Sequence, residues 1–334
     1  MDTAVYVPLA VSVFLCLCGS RLGRWLPPAT AVRLLTAVAL VAALSAGFVL
    51  AVLAFLVLAR IPVVAAFGHW STATLGSGDP VPTATGVAAG LTVMILLVAA
   101  VRRFVVAGCA LASAAATCRR LGPDVGGLVI VHDDQADAYT LPLGLSGRVV
   151  VSTAMLRALP ADERRVLLAH EAAHLRHRHH LYVQLVELAA AANPLLRPLA
   201  AAVRTATERW ADEVAAHEVG DRRLAARALA RAGLARTRTT PTGPGRAETP
   251  PGVALAAADC GVRRRVLALL DEPPRRRRVL ALAVAGLMVT AFGTSAETAG
   301  DVENEVEHAQ AAYHMAVIEP TASHTLPALL DHLS

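Results

Sequence analysis

Four stretches of this chain, 3–20, 34–59, 81–101 and 279–296, contain no charged side chain. A helix needs about 20 apolar residues, within roughly 17–25, to cross the hydrocarbon core of a bilayer. Three stretches fall within that range and the second, at 26 residues, just exceeds it, and apolar runs this long are poorly explained as buried helices of a water-soluble domain. Composition agrees: 55% of the 334 residues are hydrophobic and 17% are charged, where a soluble domain carries about a quarter. Disorder, collagen and a single large soluble fold are excluded. The first stretch has no basic residues ahead of it, so it reads as a span and not as a cleaved leader.

The arginines orient these spans, because the chain contains no lysine. Arg21, Arg24 and Arg33 follow the first span, Arg102 and Arg103 follow the third, and the run 275–278 precedes the fourth. The loop after the second span has only Arg60 at its edge, and the tail beyond 297 is acidic without arginine. The positive-inside rule then predicts a multi-pass protein of the plasma membrane, with 102–278 cytoplasmic and both termini extracytoplasmic. The net charge of +5 is accounted for by this topology. No helix-turn-helix or zinc-finger spacing accompanies it, so no nucleic-acid partner is expected. Five cysteines, an odd number mostly in spans or on the reducing side, argue against a disulfide framework.

The expected organisation is a membrane domain over 1–103, a cytoplasmic domain over 104–236, a flexible linker and basic segment over 237–278, the fourth span over 279–296, and a short acidic tail over 297–334. Within the cytoplasmic part, the apolar runs at 127–131 and 148–151 are broken by Asp, Gly and Pro, which predicts a small antiparallel sheet. From Pro160 the pattern turns helical, with Asp162 and Glu163 in the first turn and Val166, Leu167, Ala169 and Ala173 as an apolar stripe. Asn193-Pro194 should break that helix, and a second should run from about Leu199 towards Arg231. The Thr-, Pro- and Gly-rich stretch 237–251 reads as linker. The acidic tail reads as flexible, with His308 and His314 given no role.

Residues 170–174 read His-Glu-Ala-Ala-His. Histidines four apart share a helix face and can hold one metal ion. Glu171 is then placed to act as general base toward water. A catalytic zinc needs a third protein ligand and an open position. The second helix carries Glu208-Arg209-Trp210-Ala211-Asp212, where Glu208 can supply a carboxylate ligand and Asp212 can hydrogen-bond a ligand histidine. His177, His179 and His180 are expected to form a solvated basic face near lipid headgroups. Tyr139, Tyr182 and His217 are candidates by type for steadying an oxyanion, and nothing in their spacing ranks them.

The runs LPADERRVLLAHEAAHLRHRHHL, NPLLRPL and ERWADEVA resemble the integral-membrane zinc peptidases of the gluzincin group. The resemblance is in particular to the antirepressor (BlaR/MecR-like) type, with CAAX-protease and HtpX-type enzymes as relatives, and it covers roughly 120–235. It implies an α-helical membrane fold carrying a cytoplasmic α+β zincin-like domain, with one zinc per chain and no organic cofactor. It also implies His170, His174 and Glu208 as zinc ligands, Glu171 as catalytic acid/base and Asp212 as an orienting residue. The implied reaction is hydrolysis of peptide bonds in a protein or peptide substrate at the bilayer, such as a transcriptional repressor or the chain's own linker. The strands at 126–152 are expected to offer an edge to which an extended substrate adds. The sequence departs from the antirepressor pattern after the fourth span, where no penicillin-binding-type sensor follows, so direct β-lactam sensing is not expected. Two alternatives differ in role: membrane-protein quality control by the same chemistry, and a catalytically silent signal transducer.

Overall fold

The structure is a computed structural model that describes residues 6–74, 82–121, 124–144, 146–239, 251–272 and 277–330, with side chains described in all of these except 251–260 and 317–330. Helix α1 (Val7–Trp25) turns at Leu26-Pro27 into α2 (Pro28–Leu58), since a proline in the first turn starts a helix but cannot continue one. A short α3 (Pro62–Gly68) leads towards α4 (Thr83–Arg120). Strands β1 (Leu128–Val131), β2 (Ala138–Leu143) and β3 (Ser146–Ser152) follow, then α5 (Thr153–Ala158), α6 (Ala161–Arg176) and α7 (His179–Ala192). A single 3-10 turn at Pro194–Leu196 opens α8 (Arg197–Val219). Next come α9 (Arg222–Thr239), α10 (Pro251–Leu270) and α11 (Arg278–Leu330).

Four helices are long and apolar enough to cross a membrane: Val7–Trp25, Pro28–Leu58, Thr83–Arg120 and Arg278–Ala316. They cover most of each charge-free stretch, and two run well beyond the charges that bound it. Helix α4 passes straight through Arg102 and Arg103, because no proline intervenes before Leu121 and the single glycine there, Gly108, weakens a helix without ending it. Helix α11 continues through the acidic tail, whose expected flexibility is thereby overturned. Ala309 and Val306 pack there against Ala59, Phe55 and Trp70, and Gln310 donates to the Gly68 carbonyl at 3.0 Å.

Helix α2 is the central post, touched by α1, α4, α7, α8 and α11. Its Leu35 and Val38 join Leu15 of α1, Val186 of α7 and Leu199 and Val203 of α8 in one core. The apolar helices α1 and α2 therefore share one packed core with α7 and with α8, which carries Glu208. Glycines let α1 lie close on α8: a Cβ at Gly23 would stand 2.8 Å from that of Ala202. Buried Asn193, at the break before Pro194, donates to Ser12 Oγ of α1 at 2.9 Å.

The sheet has the order β1-β3-β2 and is mixed. Strand β3 pairs antiparallel with β2 but parallel with β1, in the register Leu128↔Val149, which corrects the antiparallel expectation. The reason lies in Val149, Val150 and Val151, a non-alternating run buried on both faces, as a central strand requires. With β3 central, β1 and β2 are the edges.

The stretch read as linker is partly helical. Helix α9 runs to Thr239, residues 240–250 lie outside the described residues, and 251–270 form α10 against α9. Gly233 of α9 allows the approach, since a Cβ there would meet Val262 of α10 at 3.2 Å. Arg222 anchors the far end, donating to the carbonyls of Ala268 and Leu269 at 2.9 and 3.1 Å.

Candidate metal centre

Helix α6 begins after Pro160 with Asp162 and Glu163 in its first turn, where carboxylates favour the positive helix end. It buries Val166, Leu167, Ala169 and Ala173, and this orientation turns His170, Glu171 and His174 towards a cavity of about 310 Å³. Helix α8 crosses α6 and brings Glu208 and Asp212 to the same cavity, while Ala138, Tyr139 and Thr140 of edge strand β2 form another wall.

His170 Nε2 and His174 Nε2 stand 3.2 Å apart. The Glu208 carboxylate lies 3.6 Å from His174 Nε2 and 3.8 Å from His170 Nε2. All three donor atoms fall within 4.8 Å of one another. Ligands at about 2.0–2.2 Å on a tetrahedral zinc ion are roughly 3.3–3.6 Å apart, so two imidazoles and one carboxylate at these distances suit such an ion. Glu171, next in sequence to His170, is only 7% exposed. Burial pushes its carboxyl above the usual range, against the nearby charges of His170 and Arg236.

Each of the two histidines has a different brace. His170 Nδ1 lies 3.0 Å from Asp212 Oδ1. Asp212 also accepts two hydrogen bonds from Arg265 of α10, from Nε at 2.8 Å and from Nη2 at 2.7 Å. Burial alone would raise the Asp212 carboxyl, but the bonds from Arg265 and His170 outweigh it and hold the group down at about 2. Arg265 Nη1 reaches Glu208 Oε2 at 2.9 Å, so one guanidinium ties both carboxylates together. On the other side, His174 Nδ1 faces His179 Nδ1 at 3.1 Å. Burial, then neighbouring His170, push His174 down to about 4. His179 is driven to about 3, first by burial and then by His174.

Two of these residues escaped the sequence reading. Arg265 lies in the stretch read as linker. Its signal was the spacing of Val262, Val266 and Leu269, an apolar stripe that marks 261–270 as a packed helix. His179 was assigned to a solvated face, yet it is 1% exposed. The cause is a break between α6 and α7 that no glycine or proline announces: Arg178 takes φ 53° and ψ 44°, a left-handed conformation unusual for a residue with a side chain. The turn folds His179 back beneath His174. His177 does stack on Trp210 with ring centroids 4.6 Å apart, and His180 is half-buried. Of the three oxyanion candidates only Tyr139 lines the cavity; Tyr182 packs near Trp210, and His217 is exposed on the last turn of α8.

Residues 109–195 match the model of Peptidase family M48. The match supports an M48-type metallopeptidase. It takes in the sheet, His170, Glu171 and His174, and stops before Glu208, Asp212 and Arg265. No curated protein and no solved structure matches the chain.

Proposed function

We propose that this chain is an integral-membrane zinc metalloendopeptidase that cuts a protein substrate close to the bilayer. The observation that carries the reading is the convergence of His170 Nε2, His174 Nε2 and a Glu208 oxygen beside buried Glu171. Zinc held by those three residues supplies Lewis acidity toward a peptide carbonyl and toward water. Glu171 accepts the proton of the attacking water at a carboxylate oxygen and returns it to the departing amine, a role that a raised carboxyl pKa suits. Tyr139, Thr140 and Arg236 line the cavity as donors for a developing oxyanion, while Arg265 is committed to Asp212 and Glu208. An extended peptide adds along β2, the edge strand at the cavity, and not along central β3.

A second cavity of about 820 Å³ meets the site at Glu208 and Arg265 and opens towards Ser20, Gly23 and Arg24 at the end of α1. It supports a substrate arriving from the membrane side. The arginine distribution supports a cytoplasmic site in the plasma membrane, and the sequence resemblance to antirepressor peptidases supports regulatory cleavage. No described residue of the site points to a repressor in particular.

The test is zinc content and peptide cleavage by the detergent-purified full chain. Wild type and Glu171→Gln are expected to hold about one zinc each, with cleavage of a quenched fluorescent peptide library by wild type alone, and Glu208→Ala is expected to lose the metal. A folded wild type without zinc, or undiminished cleavage by Glu171→Gln, overturns the reading.

A further inference from the structure

We propose that His179 is a positioning residue for the metal, acting through His174 as a hydrogen-bond acceptor of defined tautomer. The inference rests on the metal-site reading above. It starts from the two Nδ1 atoms 3.1 Å apart: between neutral rings, one must carry the proton and the other a lone pair. His174 turns Nε2 into the donor cluster. To ligate, that nitrogen must be bare, so the His174 proton sits on Nδ1 and is donated to His179 Nδ1. The proton of His179 is then on Nε2, an atom buried with no hydrogen-bond partner among the described residues.

The opposite arrangement would have His179 donate and His174 accept. His174 Nε2 would then carry a proton pointing at His170 and Glu208, and the lone pair needed for a metal would be lost. The two rings form a coupled tautomeric pair, and only one setting binds. His179 Nε2 has no partner among the described residues in either setting, so only the contact with His174 selects between them.

The surroundings hold the ring where this coupling needs it. The left-handed Arg178 delivers His179 at the start of α7. Its ring centroid lies 4.8 Å from that of Trp210, and 5.8 Å from that of His177 with the planes nearly parallel. The Arg33 guanidinium of α2 lies over Trp210 at 4.8 Å. A run of contacts thus extends from a membrane helix through Trp210 and His179 to a metal donor.

The experiment measures zinc affinity of the full chain in detergent by competition with a chromophoric chelator, and records the Co2+ absorption spectrum of each protein. His179→Phe keeps a ring against Trp210 but has no acceptor. His179→Asn places Oδ1 close to where Nδ1 stood. Loss of a partner to a ligand histidine costs about 10–100-fold in metal affinity, so the Phe chain is expected to weaken by that factor with altered Co2+ bands. The Asn chain is expected to stay within about threefold of wild type and to keep the wild-type spectrum. A Phe chain that binds as tightly as wild type overturns the proposal. So does an Asn chain as weak as the Phe chain, because packing would then explain both. If the Phe chain does not fold, the Asn chain decides by the same threefold limit. Absence of zinc from wild type removes the metal-site reading instead.

Discussion

The two sides of the donor cluster are braced by opposite means. Behind His170 stands a charged brace, a buried carboxylate held bidentately by Arg265. Behind His174 stands a neutral one, the His179 ring packed against Trp210. The difference shows how one small site avoids an unpaired buried charge. Negative charge near His170 is compensated by a guanidinium delivered from a separate helix. Near His174, burial keeps the imidazoles uncharged, so no compensation is needed.

Removing Arg265 should break the charged side with the largest effect. Arg265→Ala leaves Asp212 buried without its partner, and such a loss costs about 3–5 kcal/mol. Thermal unfolding in detergent should show it as a large fall in midpoint. Because the double change Arg265→Ala/Asp212→Ala leaves no orphaned carboxylate, it should recover part of the loss. Equal midpoints for the single and double variants would mean that Asp212 is not charged in the folded chain.

Acid should separate the two sides in order. His174 and His179 are lowered in the fold from about 6.5 to about 4 and about 3. The folded state therefore binds fewer protons, and stability is full above pH 6.5 and declines as pH falls from there. Asp212 is lowered from 3.8 to about 2, so its contribution of about 2 kcal/mol persists down to about pH 4 and is lost between there and pH 2. Chelator-treated protein should lose stability first through the neutral side. His179→Phe should flatten the decline below pH 6.5 and leave the lower one in place. A wild-type stability unchanged between pH 6.5 and 4 would contradict this order.

The smallest effect belongs to a residue outside both braces. Arg236 donates to the Ala138 carbonyl at 2.7 Å and contributes charge that lowers the buried Glu171 carboxyl. Arg236→Gln should let Glu171 rise further, moving the acid limb of peptide cleavage to higher pH. A shift to lower pH would remove Arg236 from the electrostatics of Glu171.

What the chain carried openly were features with a fixed period or a length. The four long apolar helices are legible because each holds a long uncharged run, and β3 because Val149–Val151 does not alternate. His170, His174, Glu208 and Asp212 are legible because helical geometry places residues four apart on one face, whatever surrounds them. Arg265 and His179 follow no such rule. Arg265 is brought in from beyond the 240–250 segment by the seating of Val262 on Gly233, and His179 by one left-handed residue whose side chain does not advertise it. The sequence by itself determined which helices are apolar and which donors share a face, since local backbone geometry alone fixes both. Only the tertiary structure decided how those donors are braced, because the braces come from separate helices and depend on burial, which no local spacing encodes.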